Sequence, residues 1–407
     1  MKKFFKNIGP GPLVAAAFIG PGTVTLCTLA GVNFGYALLW AMTLSILATV
    51  VLQEMSARLG VVTQKGLSET LRNEIKSPLL KSIIIVLILS AIVIGNAAYE
   101  AGNISGGALG MEKLFGTGKA DVFGLELKLW PLLIGIIAFF LLYIGNYKII
   151  ERVLVFMVIL MSLAFLITAI LTKPNIPEVL KGMFVPQFPQ KSILTIIGLI
   201  GTTVVPYNIF LHASLAKTKW SYKSDLQYAR KDTVIAVVLG GLVSMCIIIS
   251  ASSVSFQDIN NASDLALALK PLFGDYATYF LSMGLFSAGI TSAITAPLAA
   301  AFVASGCLGW GSDLKAKKFR MVWIFILLLG VIFSSVGFKS IEIIKFAQVA
   351  NGLLLPVIAG VLLWVMNKSN ILGSHRNSSL QNVLGFVILG ITIFLGAKTI
   401  LSVFNVI

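Results

Sequence analysis

The chain alternates long apolar segments with short polar ones. Eleven apolar segments stand out, at about residues 9–33, 36–60, 81–107, 129–147, 151–172, 191–216, 232–255, 275–306, 319–338, 342–366 and 381–404. Most have the ~20 residues that a helix needs to cross a bilayer. The longest polar stretches, at about 111–128, 173–190, 217–231 and 256–274, are too short to hold a separate soluble domain. The pattern predicts an all-α integral membrane protein of about 11 transmembrane helices, forming a single domain over residues 1–407. Whatever the protein does has to be done within its helices.

Two segments are interrupted in their middles, the first by Gly20-Pro21-Gly22-Thr23 and the sixth by Thr202-Thr203-Val204-Val205-Pro206-Tyr207-Asn208. A continuous membrane helix satisfies its own backbone. A break at bilayer depth frees N–H and C=O groups that hydrocarbon cannot satisfy and that need protein, water or a solute as partner. Segments one to five and six to ten have opposite membrane orientations, because five is odd. Each group opens with a broken helix, which is the arrangement of an inverted repeat with a midplane binding site. The repeats are placed at about 9–172 and 191–366, with an extra helix at 381–404.

Composition agrees with this reading. With 57% hydrophobic residues, 12% charged residues and a mean hydropathy of +0.95, the chain cannot have an ordinary polar surface. The net charge of +15 would point to nucleic acid in a soluble chain, but here it sorts by loop. If Lys2, Lys3 and Lys6 are cytoplasmic, 21 of the basic residues fall on the inner side, among them Arg58, Lys148, Arg230 and Lys317, and 9 on the outer side. That asymmetry predicts a multi-pass protein of the cell membrane with its N-terminus inside and its C-terminus outside. The basic residues thus describe topology, and nucleic acid is excluded as a partner; the partners are the lipid bilayer, a small solute and a coupling ion, proton or sodium. The first apolar stretch is too long for a cleavable signal. Cys27, Cys246 and Cys307 lie inside apolar segments without the spacing of a zinc site or disulfide framework. No nucleophile–base constellation, phosphate-binding loop or His/Cys cluster is present. The chain is therefore not read as an enzyme, and no cofactor is expected.

The residues flanking the breaks resemble the natural resistance-associated macrophage protein family of proton-coupled divalent-metal transporters. The similar stretches are Gly9-Pro10-Gly11-Pro12-Leu13 through Ile19, Ala30-Gly31-Val32-Asn33-Phe34-Gly35 through Trp40, Ser56-Ala57-Arg58-Leu59-Gly60 through Thr63, and Pro206 through His212. The resemblance implies a leucine-transporter-type fold. It also implies a metal site from which this chain departs. The family's first break reads Asp-Pro-Gly-Asn, with Asp and Asn as ligands, where this chain has Gly20 and Thr23. The family's Met-Pro-His in the sixth helix is Val205-Pro206-Tyr207 here, so a soft thioether is replaced by a side chain with no lone pair. Glu100 matches the first of two acids that the family uses for proton movement, and Asn103 stands at the second position. His212 matches a histidine near the family's inward proton route. Arg320 is the basic group with which Glu100 could instead form a structural pair.

The candidate substrate-binding residues are Gly20, Gly22, Thr23, Thr202, Val205, Tyr207, Asn208 and Gln348. The candidate coupling residues are Glu100, Asn103, His212 and Arg320. Gly20 and Gly22 permit close backbone approach, and a half-helix beginning near Thr23 presents its positive end to the cavity. A bare dication at the midplane needs negative charge or many oxygens close by. The expected cargo is therefore a neutral, zwitterionic or anionic organic solute. The alternative is a manganese, iron or magnesium transporter with a rebuilt site, in which Thr23, Asn208 and Thr202 would hold the metal. A transport-dead sensor on the same fold is a third reading. Thr25 and Thr28 either bond back to their own helix or face the solute, and the small residues of the eighth segment, Ser292 included, are read as close helix packing.

Overall fold

The structure is a computed structural model that describes residues 19–403, except 123–124, 146–147, 255–257, 312 and 337. Lys2, Lys3, Lys6, the Gly9–Phe18 run and the first half of the first broken segment lie outside the described residues. The helices that matter here are α1 (Pro21–Phe34), α2 (Leu39–Thr63), α3 (Leu67–Glu74), α4 (Pro78–Phe115), α5 (Leu129–Ile144), α6 (Lys148–Leu171) and α7 (Ile176–Phe184). They continue with α8 (Ile193–Thr203), α9 (Pro206–Lys219), α10 (Leu226–Ala251), α11 (Ala277–Leu308), α12 (Lys317–Ser335), α13 (Ser340–Met366) and α14 (Ser379–Val403). Among the described residues the chain departs from helix in an antiparallel hairpin, β1 (Lys119–Val122) and β2 (Leu125–Lys128), to which Val336 adds a single bridge at Leu127.

Nine helical stretches among the described residues are long and apolar enough to cross a membrane, with α8 and α9 counted together across their break. The sequence predicts eleven. The difference lies in the first segment, described only from Ile19, and in the fourth, whose helix α5 has 16 residues. Large apolar side chains point outward along the bundle, including Val86 and Ile94 of α4, Phe156 of α6, Phe325 of α12 and Phe394 of α14. Such a continuous apolar exterior is stable only against lipid.

At the centre of the bundle, backbones approach closely because glycines face one another. A side chain at Gly289 of α11 would meet the backbone of Gly107 in α4, and one at Gly102 of α4 would meet Ala347 of α13. This close packing by small residues substitutes for a hydrophobic driving force that lipid does not provide. At one end of the bundle, α7 lies across the start of α2, where the Trp40 indole donates to the Gln187 carbonyl at 3.0 Å. Lys398 reaches the same end, its ammonium 5.3 Å from the Phe188 ring centre.

The opposite end is tied by charge. Arg58 is assigned by sequence to a polar loop, but it lies inside α2, 1% exposed. It donates to Glu54 at 3.1 Å, to the His375 carbonyl at 2.8 Å and to the Asn377 side chain at 2.7 Å. Glu54 in turn accepts from Arg230 of α10 at 2.7 Å. The arrangement pairs both terminal nitrogens of a buried guanidinium, which is costly to leave unpaired, while its Nε has no partner among the described residues.

Candidate functional site

The two breaks have the same construction. α1 and α9 are both 14 residues long, and each begins with proline at its first position, Pro21 and Pro206. Proline is favoured there because its missing N–H would have no helical partner anyway. In the sixth segment it has a second effect. Residue 206 is four beyond Thr202, so a continuous helix would have bonded its N–H to the Thr202 carbonyl, and proline cannot supply that N–H. Neither half-helix has a side-chain cap, since Gly20 and Val205 occupy the cap positions.

Each of the four residues of the first break abuts a different helix. A Cβ at Gly20 would lie 3.0 Å from the Ser292 hydroxyl of α11. Pro21 fills the space above Gly106 of α4. A Cβ at Gly22 would land on the side chain of Gln348 in α13, 2.6 Å from its Cδ. Thr23 shares a hydrogen bond of 2.7 Å with Thr202 of α8, joining the two broken segments directly. On the other side, Gly201 lets α8 approach α13 until a Cβ there would overlap the Gln348 carbonyl. Gly20, Gly22, Thr23, Thr202 and Gln348, all predicted from sequence, are thus brought together.

The remaining candidates fall around this cluster. Asn208 lies in the first turn of α9, fully buried, with both side-chain amide atoms unpartnered among the described residues. The Gln348 amide is likewise buried without a partner at either atom. Tyr207 packs edge-to-face on Tyr99 of α4, with ring centres 5.4 Å apart. Val205 is buried and ends the interruption before α9. Gly20, Thr23, Thr202, Asn208 and Gln348 are all closed to solvent. The Thr25 and Thr28 hydroxyls do not bond back to their own helix; both are buried and unpartnered.

The coupling candidates separate. Glu100 is buried on α4 with its side chain over Gly330 of α12, and neither carboxylate oxygen has a hydrogen-bond partner among the described residues. Asn103 follows one turn on, its amide also unpartnered. The pairing of Glu100 with Arg320 does not occur. Arg320 stacks its guanidinium on the Tyr143 ring at 4.5 Å, and it precedes Gly330 by ten residues of α12, about 15 Å along the axis. Arg320 is thus removed from the site. His212 donates from Nδ1 to the Gln53 Oε1 of α2 at 2.8 Å, and its Nε2 is 3.5 Å from the Thr233 hydroxyl of α10.

Sequence reasoning missed Gln53, Thr233, Gly106, Gly201, Gly330 and the contact role of Ser292. Gln53 and Glu54 carried a usable signal as adjacent polar residues within an apolar segment. The glycines carried none, because which glycine faces which helix depends on packing. Among the described residues no group of three or more His, Cys, Asp or Glu side chains is placed to hold a metal.

A helical membrane bundle in which a broken helix meets the proline-led start of α1 at a buried, polar, glycine-lined centre defines a solute transporter rather than an enzyme. Over residues 11–402 the chain matches the family described as natural resistance-associated macrophage protein-like, and it belongs to that family. Similar relatives include the divalent metal cation transporter MntH of Yersinia pestis (strain Pestoides F), 25% identical over 405 residues, covering 97% of this chain and 94% of the relative. The MntH of Verminephrobacter eiseniae is 25% identical over 409 residues, covering 98% and 89%. Among solved structures, the manganese transporter of Eremococcus coleocola superposes with a TM-score of 0.78 at 21% identity, covering 98% of this chain and 87% of that one. MhsT in complex with L-phenylalanine gives 0.64 at 14% identity, covering 97% and 98%. These two structures are alike in fold.

Proposed function

We propose that the protein is a secondary transporter of divalent metal cations whose site has been rebuilt from neutral oxygen donors. This is the second of the readings open from sequence. The first, an organic solute, rested on the missing Asp, Asn and Met. The relatives reported above, matched over nearly their whole length, are named as metal transporters, and their names weigh against it. The observation that carries the reading is the pair of buried amides, Asn208 and Gln348, unpartnered at the two breaks. Their oxygens, the Thr23 and Thr202 hydroxyls and the Thr202 carbonyl freed by Pro206 form a set of hard donors. The C-terminal end of α8 adds a negative partial charge, as half-helix ends do for cations in other transporters.

Hard oxygens without a thioether favour magnesium and manganese over softer ions. With no carboxylate in the cluster, the cation keeps part of its water shell, because stripping it fully would cost more than neutral donors return. Glu100 and His212 stand beside the cluster as coupling residues, and a proton is the coupling ion. Asn103 in place of a second acid leaves Glu100 as the single carboxylate on that face of α4. The chain is read as one transport unit of two inverted halves, 9–172 and 191–366, with α14 added, its N-terminus cytoplasmic and its C-terminus outside.

The uncapped N-termini of α1 and α9 favour a second reading, a zwitterionic or anionic organic solute held by backbone N–H groups. Calorimetry on the purified protein separates the two. Manganese and magnesium chloride should give saturable heats that a panel of amino and organic acids does not. Heats from an organic solute alone would replace the first reading by the second.

A further inference from the structure

The eighth segment reads from sequence as packing, and for Gly284, Gly289 and Ala296 nothing in the structure adds to that. Three serines of α11, Ser282, Ser292 and Ser305, are buried with hydroxyls that have no partner among the described residues, and Ser292 is the one that lies against the first break. Its neighbours on α11 satisfy themselves: Thr291 donates back to the Ser287 carbonyl at 2.8 Å, and Thr295 to the Thr291 carbonyl at 2.9 Å. Ser292 makes no such bond, although the Ala288 carbonyl one turn back is the usual acceptor for a helical serine. Its hydroxyl is aimed instead at Gly20, 3.0 Å from where a side chain there would begin. Buried hydroxyls without partners are rare because the lost hydrogen bond with water is not recovered.

We propose that Ser292 is a specificity-determining residue of the substrate site, its hydroxyl taking the space that a side chain at position 20 would fill. In this arrangement position 20 contributes only backbone, and α11 supplies the oxygen that faces the cargo from that direction. A neutral hydroxyl there suits a partly hydrated divalent cation, to which it offers a lone pair while its proton is directed away or toward a water. Gly20 and Ser292 then act as one unit, and a substitution at either position alters the fit of the other. The inference rests on the break being the cation site.

Two measurements test it. The first is manganese chloride calorimetry on wild type and Ser292→Ala. A coordinating hydroxyl predicts about a tenfold loss of affinity with a melting temperature that is unchanged or higher, since the variant no longer buries an unmatched polar group. A packing residue predicts unchanged affinity, and that result overturns the proposal. The second uses protein in which Cys27, Cys246 and Cys307 are replaced by alanine. Ser292→Cys and, separately, Asn208→Cys are treated with a small cationic methanethiosulfonate. Labelling of both, slowed by saturating manganese, is the expected result. Labelling at 208 but not at 292 removes Ser292 from the site and leaves the site standing. No labelling at either position, together with no metal binding by wild type, removes the site and this inference with it.

Discussion

Adding one methyl group at Gly22 and, separately, at Gly201 distinguishes a binding surface from a kink. At Gly22 the new carbon would land on the Gln348 side chain, 2.6 Å from Cδ, and the obstacle is the movable end of a flexible group. Overpacking costs about 1–3 kcal/mol, while alanine in place of glycine recovers up to about 1 kcal/mol of backbone entropy in a helix. Net stability should therefore fall by no more than about 2.5 kcal/mol. Binding should suffer more, because the displaced amide no longer faces the cargo. A hydrogen-bonding contact to a charged partner is worth about 1.5–3 kcal/mol, or roughly ten- to a hundredfold in affinity. At Gly201 the obstacles are the Gln348 carbonyl and the Gly352 nitrogen, the latter 2.6 Å away. These are backbone atoms that cannot rotate aside, so α8 and α13 must part and stability should fall by about 3 kcal/mol or more. Thermal melts in detergent with manganese calorimetry read both quantities. Gly22→Ala should melt near wild type and bind weakly, whereas Gly201→Ala should melt clearly lower. If Gly22→Ala binds like wild type, or loses as much stability as Gly201→Ala, the assignment of Gln348 to the site is wrong.

Three further outcomes follow from the same geometry. Glu100→Gln should abolish accumulation driven by a proton gradient while calorimetry still detects cargo binding, because the carboxylate lies over Gly330 rather than in the break cluster; unchanged accumulation would remove Glu100 from coupling. Thr202→Val should lower cargo affinity about tenfold and cost about 1 kcal/mol of stability, since it deletes the 2.7 Å bond to Thr23; an unchanged melting curve and affinity would show that bond to be incidental. Glu54→Ala should destabilise toward the lower end of roughly 3–5 kcal/mol, because Arg58 keeps the His375 and Asn377 acceptors while Arg230 loses its partner; a melting temperature equal to wild type would refute it.

The membrane helices were legible because their signal is local. Twenty apolar residues in a row and a Gly-Pro break need no knowledge of neighbours, and the same holds for Thr23, Thr202 and Asn208, which lie within or beside the breaks themselves. Gln348 was legible because it and Asn351 are two amides three apart, sharing a face of an apolar segment. Arg58 was not, because a basic residue near a segment end counts as a loop charge until the 373–377 turn is seen to fold over it. The Arg320 pairing failed for a similar reason: charge complementarity carries no distance, and ten residues of helix separate Arg320 from the glycine that faces Glu100. Cargo was the hardest property to read. The missing Asp and Met removed familiar ligands; the carbonyl released by Pro206 can be counted from sequence, but its place near Thr23 and the role of the Ser292 hydroxyl become visible only once the helices are packed.

The central claim is that neutral oxygens at two helix breaks carry a divalent cation. It is tested most directly by uptake of manganese and of magnesium into proteoliposomes under an inward proton gradient, comparing wild type with an Asn208→Ala/Gln348→Ala double variant. The account predicts saturable uptake by wild type of at least one of the two ions, reduced at least roughly tenfold in the double variant, where two charge–dipole contacts are lost. Wild-type uptake no greater than that of empty vesicles, with an amino or organic acid accumulated instead, would contradict it.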